Sequence, residues 1–203
     1  MAARTRSGIQ VFRTVLWVLV GVIAVGATAL FLFAPPQQPA GVTGTPFSLQ
    51  STQGGVFTQA SLAQGTPSLV FFGYTFCPDV CPVTLAESVA WRDALNLEPD
   101  ELNIVFASVD PERDTLEELD SYLSGFQSPI IGLTGTPAEV EAAKRSFGVF
   151  SQKNGSGDDY LVDHTASVFM IDGTGAYKGT IGYGEAMGVA LDKVRSLIGL
   201  DGA

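Results

Sequence analysis

The chain reads as an α/β domain with a mixed central sheet, carried behind one apolar N-terminal span. Three observations predict this. Residues 15–34 run for 20 positions without a charge. Beyond them, short apolar β-type runs alternate with amphipathic stretches. Near the end, two β-type runs flank the turn sequence Asp172-Gly173-Thr174-Gly175, a hairpin signal.

The apolar run comes first. At about 1.5 Å per residue, a 20-residue helix spans roughly 30 Å, the thickness of a bilayer core. A buried core helix rarely stays apolar on every face. A signal-peptide core is shorter and ends at small residues, whereas this run ends in Phe31-Leu32-Phe33-Ala34 before two prolines. The first reading is therefore an uncleaved anchor, and the second a cleaved signal. Arg4, Arg6 and Arg13 precede the run and no acid does, which places the N-terminus on the cytoplasmic side. The expected organisation is a cytoplasmic tail (1–14), a single transmembrane anchor (15–34), a Pro/Gly/Gln-rich tether (35–45) and one folded domain (46–203). In a bacterium that domain lies in the periplasm, tethered to the inner membrane. An intermembrane-space domain is the mitochondrial counterpart, and the very short segment ahead of the anchor favours the bacterial one.

Within the domain, 47–50 is a short strand before a turn at Gly54-Gly55. The run 68–74, SLVFFGY, fits a strand buried on both faces. Leu85, Val89, Trp91 and Leu95 pattern a helix over 83–97. NIVFASV, 103–109, is a second buried strand. A helix over 114–126 opens on the cap candidates Asp114 and Thr115 and has acids in its first turn. A third strand covers 130–133. Thr136-Pro137-Ala138-Glu139 opens a further helix that stops at Gly148. The hairpin strands are 167–171 and 177–181, and the last helix is 184–198. Strand–helix–strand–helix–strand–helix–hairpin–helix implies parallel first strands and an edge hairpin. That order is compatible with a thioredoxin-like domain.

Charge narrows the partners. Three of the 11 basic residues precede the span, so the exported part carries the other eight against all 21 acids. This argues against nucleic acid or an anionic membrane surface as a ligand. It suits a cationic partner or a metal ion.

The chemistry concentrates in FFGYTFCPDVCP, residues 71–82, which holds both cysteines of the chain. Cys77 follows a buried strand and Cys81 enters the next helix, where free N–H groups and the helix dipole favour a thiolate. Four positions along a helical turn separate Cα atoms by about 6 Å, inside the disulfide window. A thioredoxin-type redox pair has two intervening residues; here there are three. A redox pair, a metal site and a structural disulfide all remain open, although closing so short a loop stabilises little. The one histidine, His164, precedes the hairpin. Two thiolates and an imidazole form a three-ligand set suited to Cu(I) and Cu(II). Zinc would need a fourth ligand, such as Asp79 or Asp163. Met170 and Met187 are further soft donors, Met170 reading first as core.

Together these residues resemble the Sco/SenC family of copper-binding assembly proteins. FGYTFCPDVCP looks like the family's copper motif, SVDPERDT (108–115) like its second signature, and Asp163-His164-Thr165 like its third. The resemblance implies a thioredoxin-like fold, with Cys77, Cys81 and His164 as ligands for one copper ion. It places Asp110 near the site as an outer-shell residue, although Asp110 equally suits a loop cap or a pair with Arg113. Phe76 departs from the pattern of many members, which carry histidine there. The implied function is delivery of copper to the CuA centre of cytochrome c oxidase, or reduction of that centre's cysteines. The partner is then the CuA-bearing subunit, with other copper chaperones or thioredoxin-like reductants as further partners. The competing functions are a thiol–disulfide oxidoreductase or peroxidase without a metal role, and a copper or redox sensor.

Overall fold

A computed structural model describes residues 8–33, 45–157 and 159–200. The chain divides into two compact units, Met1–Gln38 and Pro39–Ala203. In the first, α1 (Gly8–Phe33) is a helix of 26 residues. It starts inside the expected tail. Its described apolar side chains, such as Phe12, Trp17 and Val25, are exposed. Among the described residues, no helix is long and apolar enough to cross a membrane; the side chains at 9, 27 and 29–33 are outside that set. Residues 35–44 of the expected tether lie outside the described residues.

In the second unit, the described residues form nine strands and four helices in the order β1 (Ser48–Ser51), β2 (Val56–Thr58), a 3-10 turn (Gln59–Ala63), β3 (Ser68–Gly73), α2 (Val80–Ala94), β4 (Asn103–Ser108), α3 (Leu116–Ser124), β5 (Ile131–Thr134), α4 (Pro137–Phe147), β6 (Ser151–Asn154), β7 (Leu161–His164), β8 (Ser167–Ile171), β9 (Tyr177–Gly182) and α5 (Met187–Leu197). Seven strands form one sheet in the order β2-β1-β5-β4-β3-β8-β9. β3, β4 and β5 are parallel, while β1 joins β5 and β8 joins β3 antiparallel. This is the mixed sheet flanked by helices that the element order predicts, with the 167–182 hairpin at one edge. The other edge is the β1–β2 hairpin, and β2, only three residues long, leaves no sequence period to read.

β3 is buried along its whole length, because helices cover a central parallel strand on both faces. α4 carries the capping box read in the sequence: the Thr136 hydroxyl accepts from the Glu139 N–H, Glu139 returns a bond to Thr136 N–H, and Gly148 closes the helix at φ 66. α2 begins three residues earlier than its apolar period suggests. Pro82 is tolerated there because the first helical N–H groups have no intrahelical acceptor. Cys81 thereby becomes the second residue of α2. α3 is shorter than expected, since Thr115 alone caps it and Asp114 is engaged elsewhere. β6 and β7 form a separate hairpin that the polar, glycine-rich sequence around 154–159 conceals.

The β8–β9 turn is organised by Asp172. Its Oδ1 accepts from Thr174 N (2.9 Å), Thr174 Oγ1 (2.6 Å) and Ala176 N (3.0 Å), and Lys178 Nζ lies 3.0 Å from Oδ2. Burial pushes this carboxyl up, but Thr174, Lys178 and the backbone N–H groups outweigh it and hold it at about 2. Asp172→Ala is expected to cost about 1–2 kcal/mol at neutral pH, the cost of losing capping-type bonds. The folded-state value lies below the unfolded one. The contribution is therefore full above the ordinary carboxylate range and is lost as pH falls through about 2. Urea unfolding of both proteins at pH 7 and near pH 2 checks this; the gap should close at the lower pH.

Candidate metal centre

The site forms where β3 ends. Gly73 brings the chain to the sheet rim without a side chain. A Cβ there would stand 2.7 Å from Cys81 Sγ and 2.7 Å from Phe106 Cε2. The loop that follows is tethered by Asp114, which is wholly buried. Its carboxylate accepts from Thr75 Oγ1 (2.6 Å), Thr75 N (3.2 Å) and Ser108 Oγ (2.6 Å). Burial raises its proton affinity, and these donors oppose the rise. The loop then turns at Tyr74–Cys77 and enters α2.

Cys77 is partly exposed and Cys81 fully buried; neither is bridged. The Cys81 N–H points at Cys77 Sγ across 3.4 Å. The Cys81 thiol donating to Cys77 is the main cause that lowers Cys77 to about 5. Burial opposes this, and the Asp79 and Cys81 N–H groups and His164 add to it. Cys81 moves the other way: supplying that bond, and burial, both push its thiol up. At neutral pH the pair is thus a Cys77 thiolate beside a Cys81 thiol.

His164 ends β7, opposite Ser151 of β6. Its Nδ1 lies 3.1 Å from the Thr165 carbonyl, an acceptor, so Nδ1 donates there and Nε2 is the nitrogen turned toward the sulfurs. Nε2 stands 3.4 Å from Cys81 Sγ. The ring is held edge-on by Phe71 and Tyr74, with centroids 5.8 and 5.9 Å away. The two sulfurs and an imidazole nitrogen all lie within 4.8 Å of one another. A cleft of about 400 Å³ opens beside them, lined by Tyr74, Pro78, Asp79, Leu161 and Asp163 among others.

Among the described residues, no carboxylate joins this donor group. Asp79 occupies the N-cap position of α2, and Asp163 accepts from Asn154 Nδ2. Met170 is buried in β8 with its Cε beside Gly179 of β9. Met187 is half-exposed at the start of α5. Asp110 is 1% exposed and binds Arg113 Nε (2.6 Å) and the Tyr160 hydroxyl (2.6 Å) rather than joining the donors. The Arg113 guanidinium lies over Phe76 at 4.6 Å and over Tyr160 at 3.6 Å. Sequence reasoning passed over Asp114, Thr75 and Tyr160. Asp114 resembled a helix cap, and no local pattern announces that Thr75, 39 positions away, is its partner.

The asymmetry of the cysteines has a direct readout. In the reduced native protein, iodoacetamide is expected to modify Cys77 alone, with a rate that falls as pH drops through about 5. Cys81 should react only after unfolding. Peptide mass mapping across pH 4–8 measures both.

A model of the SCO1/SenC family matches residues 35–199. The chain belongs to that family. Protein SCO1 homolog 1 of Arabidopsis thaliana, mitochondrial, is 39% identical over 131 residues, 63% of this chain and 39% of that protein. The chain spans between about two fifths and two thirds of the length of curated relatives it matches. The structure of Bradyrhizobium japonicum ScoI with copper bound superposes with a TM-score of 0.68 at 37% identity, over 76% of this chain and 98% of that one. BsSco, described as having a disulfide switch and as a member of the Sco family of cytochrome c oxidase assembly proteins, gives 0.63 at 26% identity, over 80% and 97%. The SCO1/SenC membership and the thioredoxin-like fold thus agree with the reading of the three sequence signatures.

Proposed function

We propose that this SCO1/SenC protein is a membrane-anchored copper carrier for cytochrome c oxidase assembly. It binds one copper ion through Cys77, Cys81 and His164 and passes it to the CuA-bearing subunit. The observation that carries this is the convergence of two sulfurs and an imidazole nitrogen within 4.8 Å. Soft sulfur suits Cu(I), and the imidazole extends the site to Cu(II). Three donors leave a coordination position open toward the cleft, so a partner's ligand can add before one of these leaves. Transfer then needs no free ion.

The same pair supports a second chemistry, favoured by the partly exposed thiolate and the buried thiol. Cys77 attacks a partner disulfide and forms a mixed disulfide, expelling one partner thiolate. Cys81 then loses its proton and attacks Cys77 Sγ, releasing the second partner sulfur. Two electrons pass to the partner, the pair supplies the single Cys81 proton and the second comes from solvent, and Cys77–Cys81 is left oxidised. In that state neither sulfur is available to copper.

The domain plan of tail, anchor, tether and soluble domain belongs to the same proposal. The uncharged run at 15–34 supports the anchor, and the arginines ahead of it support a cytoplasmic N-terminus and a periplasmic domain. The experiment is a copper titration of the reduced full chain in detergent, followed by absorption and EPR, beside His164→Ala. A 1:1 endpoint with intense sulfur-to-copper charge transfer, and a pronounced loss of Cu(II) affinity in the variant, is expected. Wild-type Cu(II) affinity in His164→Ala would remove the three-ligand carrier and leave the thiol–disulfide chemistry.

A further inference from the structure

His164 belongs to a hairpin outside the main sheet, while both cysteines belong to the β3–α2 segment. Something must fix the distance between these two pieces. Backbone ladder bonds do not do so, because β7 pairs with β6 alone.

We propose that Tyr160, acting through Asp110, is the latch that sets the reach of His164 toward the cysteines. This rests on the copper reading above. Successive side chains on a strand alternate in direction, so Tyr160, Val162 and His164 share one face of the β7 segment. Each is docked. The Tyr160 hydroxyl donates to Asp110 Oδ1 at 2.6 Å, in a position where Tyr160 is 8% and Asp110 1% exposed. Val162 is buried in the core. His164 faces Cys81. Asp110 sits just beyond β4, in the main sheet, and its backbone is itself fixed, with its N–H on Ser108 Oγ at 2.9 Å. One end of β7 is thus bolted to the sheet that carries the cysteine loop.

Asp110 also joins the latch to that loop. Its Oδ2 binds Arg113 Nε at 2.6 Å, and the Arg113 plane lies 3.6 Å from the Tyr160 ring centroid and 4.6 Å from that of Phe76, next to Cys77. The Arg113 guanidinium bridges the histidine hairpin and the cysteine loop through two aromatic faces. Tyr160 touches neither copper nor the sulfurs; it is a positioning residue.

The distance matters most for the ligand that is not sulfur. Two thiolates retain a soft Cu(I) ion with little help, whereas Cu(II) depends on the imidazole. Tyr160→Phe keeps the buried ring and its packing on Arg113 and deletes the hydroxyl. Cu(II) affinity of the full chain, measured by chelator competition with charge-transfer absorption, is expected to fall about 10–100-fold, as for other residues that orient ligands. Cu(I) affinity should fall less. The same substitution is then made in His164→Ala, where it is expected to change Cu(II) affinity no further, because the group it orients is gone. Cu(II) affinity of Tyr160→Phe equal to wild type overturns the latch. So does an equal added loss in both backgrounds, which would mark general damage to the fold. Failure of the wild-type chain to bind copper is a separate result, and it removes the carrier reading together with the latch.

Discussion

Replacing Cys81 by serine is expected to weaken copper binding beyond the roughly 10–100-fold that loss of an orienting residue costs, and to abolish disulfide formation at the site. Cys81 is wholly buried at the start of α2, so its sulfur cannot be replaced by another donor moving in from solvent. A serine oxygen is a hard, protonated donor at neutral pH, and soft Cu(I) discriminates against it. The substitution is nearly isosteric, and its hydroxyl would still face His164 Nε2, 3.4 Å from the present sulfur. The fold should therefore survive, and the loss of copper is a loss of chemistry rather than of structure. A second consequence separates the two. The Cys81 thiol is the main cause of the low Cys77 value. In Cys81→Ala that donor is gone, so the pH midpoint for Cys77 alkylation should rise from about 5 toward the ordinary thiol range. Copper titration of Cys81→Ser and the alkylation profile of Cys81→Ala test the two halves. Wild-type copper affinity would mean that Cys81 is no ligand, and an unmoved midpoint would mean that its thiol does not activate Cys77.

The fold was legible wherever burial imposes a period. SLVFFG had to be a central strand, since six consecutive buried residues find cover only between helices. The Thr136–Glu139 box and Gly148 announced both ends of α4. Three strands escaped: Val56–Thr58 is too short, Ser151–Asn154 is polar and exposed on its outer three residues, and Leu161–His164 buries Val162 alone. β6 is held by pairing with β7, whose anchor residue Tyr160 lies outside both strands. At the site, the residues that carry the chemistry stood out because their types are scarce: two cysteines and one histidine in 203 residues. The residues that hold them in place did not, because aspartate, threonine and tyrosine are common, and their partners lie 39 to 50 positions away. Asp110 illustrates the limit. Its segment marked it as relevant, but only folding shows that it spends one oxygen on Arg113 and the other on Tyr160.

Gly73→Ala is expected to damage stability and copper binding together, for one steric reason. The backbone of Gly73 does not need a positive φ, so conformation is no obstacle. Removing a strand glycine would by itself stabilise the fold by roughly 0.5–1 kcal/mol. Space decides against it. The new methyl carbon would lie 2.7 Å from Cys81 Sγ, 2.7 Å from Phe106 Cε2 and 3.1 Å from Phe71 Cε1. Both rings are buried to within 1% and pack on each other with centroids 6.1 Å apart, so neither swings clear. Overpacking of this kind costs about 1–3 kcal/mol, which outweighs the glycine gain at most of that range. The atom with the most freedom to yield is the Cys81 sulfur, at the end of a helix. If it yields, it moves away from Cys77 and His164, and the donor group opens beyond its present 4.8 Å. Urea unfolding of the metal-free chain should show the lower stability, and copper competition the lower affinity. A variant that keeps full copper affinity while losing stability would place the strain in Phe106 instead, and the close approach of β3 to Cys81 would then not govern the position of that sulfur.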